Sequence, residues 1–305
     1  IGSITPTGGN YEARTFVSDF KDDETWSDFS PRVGLQWEPS ADTQLYAFYA
    51  KGFRSGGYNF RNTVVGAPPG PFDAEEQDAY EIGLKQTFPG RRGHFNLALY
   101  NNTIDKLQRE VQIPIAGVGI AQLLRNVGKV RVRGFEAEAQ YRVADPIVIG
   151  GQVGYTDGKY QSLLFDINSD GVINDIDYSL DIPRLAPWTY GAFVLLDLPL
   201  ASLGDLSTRV SFNHRDRSFY TDDNRGPLKA TDILDFNMTL HSPDRVWSFS
   251  IYGNNLTNEA FSGNGAIFPD TPAFGGDGPT GPRRLPSFAP LSRGRVLGAE
   301  IRYDF

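Results

Sequence analysis

The sequence predicts an all-β chain that forms the wall of an antiparallel transmembrane β-barrel, with about 12 strands. Three observations predict it. Segments rich in aromatic and β-branched residues alternate apolar and polar positions. Gly and Pro punctuate those segments. Short and long connections follow one another in strict turn. Among 305 residues there are 21 Phe, 14 Tyr, 33 Gly and 20 Pro, which suits strands broken by turns.

The alternation is plainest at the end of the chain. From Arg293 to Phe305, the positions Leu297, Ala299, Ile301, Tyr303 and Phe305 are apolar, and Glu300, Arg302 and Asp304 between them are charged. One face is suited to lipid and the other to water, because successive strand residues point to opposite faces. Placing Arg302 in contact with the membrane centre would cost about 2–4 kcal/mol. The same pattern recurs in Leu234, Phe236, Met238 and Leu240, in Phe95, Leu97 and Leu99, and in Phe135, Ala137, Ala139 and Tyr141.

Strands are expected near residues 10–19, 29–38, 43–54, 77–88, 93–107, 127–143, 147–161, 187–199, 205–217, 229–241, 246–257 and 293–305. Tight turns fall at Pro39–Asp42, Pro89–Arg92, Ala144–Pro146, Leu200–Gly204 and Ser242–Arg245. Long loops fall at about 55–76, 108–126, 162–186, 218–228 and 258–292. Outer-membrane barrels have tight periplasmic turns and long outside loops. With Phe305 at the periplasmic rim, every tight turn lies on the periplasmic side.

Composition excludes several classes. No stretch approaches the roughly 18 unbroken apolar residues of a transmembrane helix, and the mean hydropathy is -0.35, the moderate value of alternating strands. Zero Cys removes disulfides, thiolate metal sites and thiol catalysis. A net charge of -8 argues against a nucleic-acid partner. Gly56-Gly57 lacks the Lys-Ser/Thr and helix of a phosphate loop, and no nucleophile–base constellation stands out. The sequence therefore predicts no enzyme and no organic cofactor. Because it begins at Ile1 without a leader pattern, it reads as a piece of a longer polypeptide.

Several segments resemble the barrel of TonB-dependent outer-membrane receptors. They are Ser30–Trp37, Leu45–Asn59, Glu75-Glu76 with Tyr80–Lys85, Asn126–Glu136, and Asn254–Asn258 with the terminal Phe305. Together they cover most of residues 30–305 in the family's order. The resemblance implies a 22-stranded barrel, of which residues 1–305 supply the C-terminal portion. It also implies an N-terminal plug and a TonB-contacting segment, neither of which is visible in this chain.

Candidate sites lie in the outside loops. In loop 162–186, Asp166, Asn168, Asp170, Asn174 and Asp177 occupy positions 1, 3, 5, 9 and 12 of a calcium-type loop. Gly171 stands at 6, and the Val172 carbonyl is available at 7. That spacing wraps Ca²⁺ with oxygens, although an Asp/Asn-rich loop also favours turns without metal. Asp177 in place of Glu makes bidentate closure less assured. The expected role of the ion is structural, stiffening the loop.

Tyr58, Phe60, Phe261, Phe268 and Phe274 hang over the barrel mouth, where aromatics stack on a ligand or cap the barrel. Phe288 lies in the same long loop. Arg283 and Arg284, with Arg293 and Arg295, suit an anionic ferric chelate, lipopolysaccharide phosphate or a solvated lining. Lumen-facing Glu136, Glu138, Glu300 and Arg302 are expected to form salt-bridge ladders.

The resemblance implies a receptor in the outer membrane of a Gram-negative bacterium. It would bind a scarce small-molecule ligand, most often a ferric siderophore, and import it with energy from TonB. Outer-membrane lipid and lipopolysaccharide would surround it. A passive porin-type channel is the alternative, and an outer-membrane enzyme is a more distant one.

Overall fold

The computed structural model describes residues 2–4, 14–16, 21–59, 69–115, 119–168, 171–262, 266–267, 287–288 and 290–305. In chain order the strands begin with β1 (Gly2–Ile4), β2 (Arg14–Phe16), β3 (Arg32–Ser40), β4 (Thr43–Arg54), β5 (Glu75–Thr87) and β6 (Gly93–Asp105). Next come β7 (Gln108–Ile115), β8 (Gly119–Asn126), β9 (Gly128–Ala144) and β10 (Ile147–Leu163). A short helix, α1 (Asp175–Ser179), precedes β11 (Trp188–Pro199), β12 (Asp205–Arg215), β13 (Ser218–Phe219) and β14 (Pro227–Leu228). The chain ends with β15 (Thr231–His241), β16 (Trp247–Asn254), β17 (Ala266–Ile267), β18 (Ser287–Phe288) and β19 (Val296–Tyr303).

Eleven of these strands form one antiparallel sheet in the order β19-β16-β15-β12-β11-β10-β9-β6-β5-β4-β3. Among the described residues the sheet is open: β3 and β19 are its edges and do not pair with each other. The strand expected over 10–19 is not a wall strand where it is described. Arg14–Phe16 pairs with Gly2–Ile4, and the rest of that segment lies outside the described residues. The other eleven expected strands are all present.

All five tight turns lie at one end of the sheet and all five long connections at the other. Two of the tight turns are 3-10 turns, Pro89–Arg91 and Ala201–Leu203. Among the described residues no helix is long and apolar enough to cross a membrane.

Register explains why the wall has two faces. One row runs Leu35, Ala47, Ile82, Leu99, Phe135, Tyr155, Trp188 from β3 to β11, each residue opposite the next. It starts mid-strand and finishes at the first residue of β11, the stagger expected of tilted barrel strands. A second row, Leu198, Leu206, Leu240, Phe249, Ile301, completes the same face toward β19. Leu297 and Ile301 are each 69% exposed, so among the described residues nothing covers this face there.

Aromatic rings gather at both margins of the apolar face. Phe135, Tyr155 and Trp188 cluster toward the long connections, with centroids 4.7–6.2 Å apart. Trp247 and Tyr303 pair at 4.5 Å near the tight turns, and Tyr141 packs on Phe88 at 5.6 Å. Two aromatic girdles flanking an aliphatic band are what a bilayer selects.

The opposite face is polar but far from smooth. Five aromatic residues stand directly across from glycines: Phe48 from Gly34, Tyr46 from Gly83, Tyr100 from Gly134, Phe193 from Gly150 and Tyr252 from Gly298. A Cβ added at Gly83, Gly150 or Gly298 would run into the facing ring. Glycine makes room for a ring lying flat on the strand, a device that pins register.

The expected ladder of salt bridges is not what this face holds. Glu138 accepts from Asn96 Nδ2 at 2.7 Å, and Arg302 donates to Asp304 on its own strand at 2.9 Å. Glu300 and Arg302 face Ser250 and Ser248 across the ladder. Neutral residues occupy the cross-strand positions: Asn96 and Gln152 beside Glu138, Ala98 and Gly154 beside Glu136, and the two serines beside Glu300 and Arg302.

The buried hydrophobic cluster lies at the long-connection end. Val111, Leu123, Val127, Val130, Tyr160, Leu163, Ile167 and Ile182 form it, with Leu107, Val132, Phe165, Leu180 and Leu185 packed around them. A barrel wall shows one face to lipid and the other to the lumen, so a core forms only where connections fold back. Strands β9 and β10, 17 residues each, exceed the roughly 9–11 needed to span a bilayer and carry this core on their ends. Within 108–126, expected to be a loop, Gln108–Ile115 instead pairs with Gly119–Asn126 as the hairpin strands β7 and β8.

Candidate functional site

The connections between β6 and β9 and between β10 and β11 do not stand away from the wall; they fold over the end of its polar face. Val130, Val132, Gly158 and Tyr160 share the strand parity of Glu136 and Gly154, so they belong to the polar face. The cluster covers them with Val111 and Leu123 of the β7–β8 hairpin and with Ile167 and Ile182 of the β10–β11 connection. Gly158 lies beneath Ile182 and Leu185, whose methyl groups occupy the space a Cβ would need. The result is an apolar roof over the lumen side.

Polar contacts tie the connections into that roof. Arg109 of the hairpin meets Asp222 of the β12–β15 connection at 3.0 Å. Burial raises the Asp222 carboxyl above its ordinary range, although the Arg109 guanidinium opposes the shift. Close by, the buried hydroxyl of Tyr160 has no hydrogen-bond partner among the described residues.

Asparagine amides provide a second kind of tie. Asn59 donates to Leu124 O at 3.0 Å and accepts from Leu124 N at 2.6 Å. Asn126 holds Asp73 in the same way, at 2.9 and 2.8 Å, and Asn224 holds Asp181, at 2.8 and 2.7 Å. Each amide imitates a peptide unit and satisfies backbone groups that would otherwise be unpaired. Lys51 pins the segment before β3 by bonding both Asp28 (2.7 Å) and Glu76 (2.8 Å).

The sequence-predicted residues divide among these features. Tyr58 packs edge-on against Trp26, with centroids 6.1 Å apart, and its hydroxyl is pushed up to about 12, first by desolvation and then by the Asp22 carboxylate. Phe261 accepts from Ser292 N at 2.7 Å through its carbonyl. The two sit on connections near opposite edges of the sheet, so the structure does not bring them together. Of Phe288, β18 fixes only the backbone. Phe60, Phe268, Phe274, Arg283, Arg284 and Asp170 lie outside the described residues.

In the calcium-type loop, Asp166 Oδ2 accepts from Gly171 N at 2.6 Å. Asp177 is fully buried. Its Oδ1 accepts from Ile167 N and Asn168 N, and its Oδ2 from Asn174 N, all at 3.0 Å. It is also the N3 residue of a capping box whose N-cap is Asn174. With three of its acceptor sites taken, this carboxylate closes the loop through backbone N–H groups and is not free for bidentate ligation. Among the described residues no group of three or more His, Cys, Asp or Glu is arranged to hold a metal ion.

Arg109, Asp222 and Tyr160 were not singled out by the sequence. They are separated by long stretches of chain and fit no motif, and only the fold brings them together.

The comparisons with known proteins agree with this geometry. A family described as TonB dependent receptor-like, beta-barrel matches residues 5–256. The chain belongs to that family. The pesticin receptor of Yersinia enterocolitica is 23% identical over 266 residues, covering 87% of this chain and 34% of the relative. This chain thus spans about a third of the length of the curated relatives it matches. The ferric yersiniabactin uptake receptor FyuA from Yersinia pestis superposes with a TM-score of 0.69 at 19% identity, over 90% of this chain and 37% of that one. The siderophore receptor PiuA from Acinetobacter baumannii gives 0.64 at 15% identity, over 90% and 35%.

Membership orients the wall. TonB-dependent receptors are Gram-negative outer-membrane barrels, so the apolar face meets lipid, the long connections are extracellular and the tight turns periplasmic. The relatives named above are receptors. The roof over the polar face therefore lies at the extracellular mouth of the lumen.

Proposed function

We propose that the protein is an active outer-membrane importer. It captures a scarce small molecule, foremost a ferric siderophore, on its extracellular connections and draws it inward with energy supplied through TonB. The observation that carries this reading is the roof: the connections fold onto the lumen side and are tied to one another, giving a shaped surface above the channel instead of an open pore. Relatives named as a ferric yersiniabactin uptake receptor and a siderophore receptor support the ligand class.

The test is uptake of radio-iron by iron-starved cells that express the full-length protein and lack other ferric-siderophore receptors. Uptake of one chelate that stops when TonB is deleted is the expected result. Uptake that persists without TonB would favour a passive channel instead.

We further infer that the extracellular loop with the Asp166 motif takes up calcium as a structural ion. Asp166, Asn168, Asp170, Val172, Asn174 and one remaining acceptor site of Asp177 would supply oxygens, the ligand type this ion selects. The hydrogen bond from Gly171 N to Asp166 Oδ2, joining positions 1 and 6, supports the reading. The engagement of Asp177 with backbone limits it to a weaker, monodentate role. Protease sensitivity of the loop with and without calcium is the test.

A further inference from the structure

We propose, on the importer reading given above, that the Arg109–Asp222 contact is an exchangeable clasp. An oxyanion of the incoming ligand takes Arg109 together with Arg125, while Asp222 passes to the hydroxyl of Tyr160. Three observations carry this.

The first is a like-charged pair. Arg109 and Arg125 stand directly opposite each other in the β7–β8 hairpin, on one face of the ribbon. Like charges in that position are destabilising. Among the described residues Asp222 is the one acid paired with either of them, and the neighbouring Asp223 is already paired with Arg225. Two guanidiniums thus share one carboxylate. They suit a second oxyanion, which each can engage through its fork of N–H donors.

The second is a clasp of imperfect fit. Arg109 Nη2 lies 3.0 Å from Asp222 Oδ1, yet that oxygen is buried and accepts no hydrogen bond of good geometry. A charge contact without an aligned bond is weaker than the bidentate pair a guanidinium can make. A better-placed oxyanion therefore competes for Arg109.

The third is an unused second partner. The Tyr160 hydroxyl lies on the part of β10 that rises beyond Tyr155, and it too is buried and unbonded among the described residues. Burial first, and then the nearby Asp222 carboxylate, raises its pKa, so it keeps its proton and remains a donor. A buried donor and a buried acceptor, each unbonded and near enough to act on the other, are a pair that side-chain rotation can join. Leaving them unmet is costly, so their joining offsets the loss of Arg109.

In the closed arrangement the clasp holds the hairpin to the β12–β15 connection. In the exchanged one the hairpin goes with the ligand, and the connection stays held to β10. A ligand shifts this equilibrium only through its preference for one arrangement, so a chelate with free carboxylates parts the mouth here and a neutral one does not.

Hydrogen exchange on the full-length receptor tests the switch without ligand. Arg109→Gln should speed exchange of the hairpin strands by about tenfold, the weight of one charge-assisted hydrogen bond, and leave 216–230 protected. Tyr160→Phe should change neither segment, because its hydroxyl is idle in the closed arrangement. The two substitutions together should expose 216–230 as well, since Asp222 then has no partner. Heat-modified gel migration confirms that each variant is folded. Equal protection of 216–230 in Arg109→Gln and in the double variant overturns the exchange. Ferric citrate, a polycarboxylate, and a neutral ferric trihydroxamate then serve as probes. Spin labels on Glu110→Cys and Lys229→Cys, in a stretch without native cysteine, report the separation of hairpin and connection. Ferric citrate at millimolar concentration should lengthen it in the parent to the value that Arg109→Gln shows without ligand, and the trihydroxamate should leave it unchanged. No change with ferric citrate, or the same change with both probes, overturns the anion trigger. Iron uptake that stops without TonB, alongside an unmoved clasp, defeats only this proposal. A moving clasp with uptake that persists without TonB defeats only the importer reading.

Discussion

Arg109 and Asp222, 3.0 Å apart, join two extracellular connections separated by more than a hundred residues of chain. Neither side chain is freely solvated, with 24% and 19% of their surfaces exposed. The pair is therefore a structural tie of the roof rather than a surface ornament. Asp222→Ala leaves the guanidinium without its partner and should destabilise the roof locally by about 2 kcal/mol. Hydrogen exchange over 216–230 measures it, and unchanged protection in the variant would show that the pair contributes nothing.

Acid should act on this tie in an unusual direction. The folded state raises the Asp222 carboxyl pKa, with burial as the leading cause. Folding therefore favours the protonated form. The associated stability is fully present below the ordinary value of 3.8 and is lost as pH rises through the folded value. Protection of 216–230, corrected for intrinsic exchange, should increase on acidification toward pH 4, and Asp222→Asn should flatten the dependence. A parent that loosens over that range refutes the assignment.

Asp28 behaves in the opposite way. Hydrogen bonds from Lys51 and then Ser30 lower its carboxyl pKa, so its contribution is present above 3.8 and lost as pH falls through the still lower folded value. The segment 21–31 should stay docked at neutral pH and release only in stronger acid. Fluorescence of Trp26, packed against Tyr58, reports that release, and Lys51→Met should abolish the transition by undocking the segment at every pH.

Much of the wall was legible because a membrane imposes a period of two. The terminal alternation from Leu297 to Phe305 needed no tertiary information, and neither did the five tight turns. The roof was far less legible. Residues 108–126 alternate Val111, Ile113 and Ile115 against Glu110 and Gln112, yet Pro114 and the glycines near 117–119 resembled loop punctuation. The asparagine ties were invisible because the partners lie far apart, as with Asn59 and Leu124, 65 positions away. The Asn174–Asp177 spacing reads in sequence only as part of a calcium-type or turn-rich loop, and the capping box that its hydrogen bonds form emerges from the fold.

The lumen-facing glycines offer a test of register. Tyr46 lies across Gly83, leaving no room for a Cβ. Gly83→Val should push the ring off the strand and cost about 1–3 kcal/mol by overpacking. Gly83→Val combined with Tyr46→Ala should recover part of that loss, because the ring is the obstacle. Midpoints of heat-modified gel migration give the order. No recovery in the double variant would mean that the strand itself, rather than the ring, rejects the side chain.

The extracellular loop at Asp166 separates closure by protein from closure by metal. Asp177 receives three backbone N–H bonds, each of the charge-assisted kind that contributes about 1.5–3 kcal/mol. Asp177→Ala should open the loop whether or not calcium is present, with strong protease cleavage near residues 165–180. Asp170→Ala leaves those three backbone bonds to Asp177 in place, so the baseline protection should stay intact. If the ion binds, calcium adds protection to the parent, chelator removes that increment, and Asp170→Ala lacks it from the outset. The expected order of protection is parent with calcium, then parent with chelator together with Asp170→Ala, then Asp177→Ala. Equal protection of the parent with calcium and with chelator would leave Asp177 as the sole closure and dismiss the ion, without disturbing the capping box or the barrel wall beneath it.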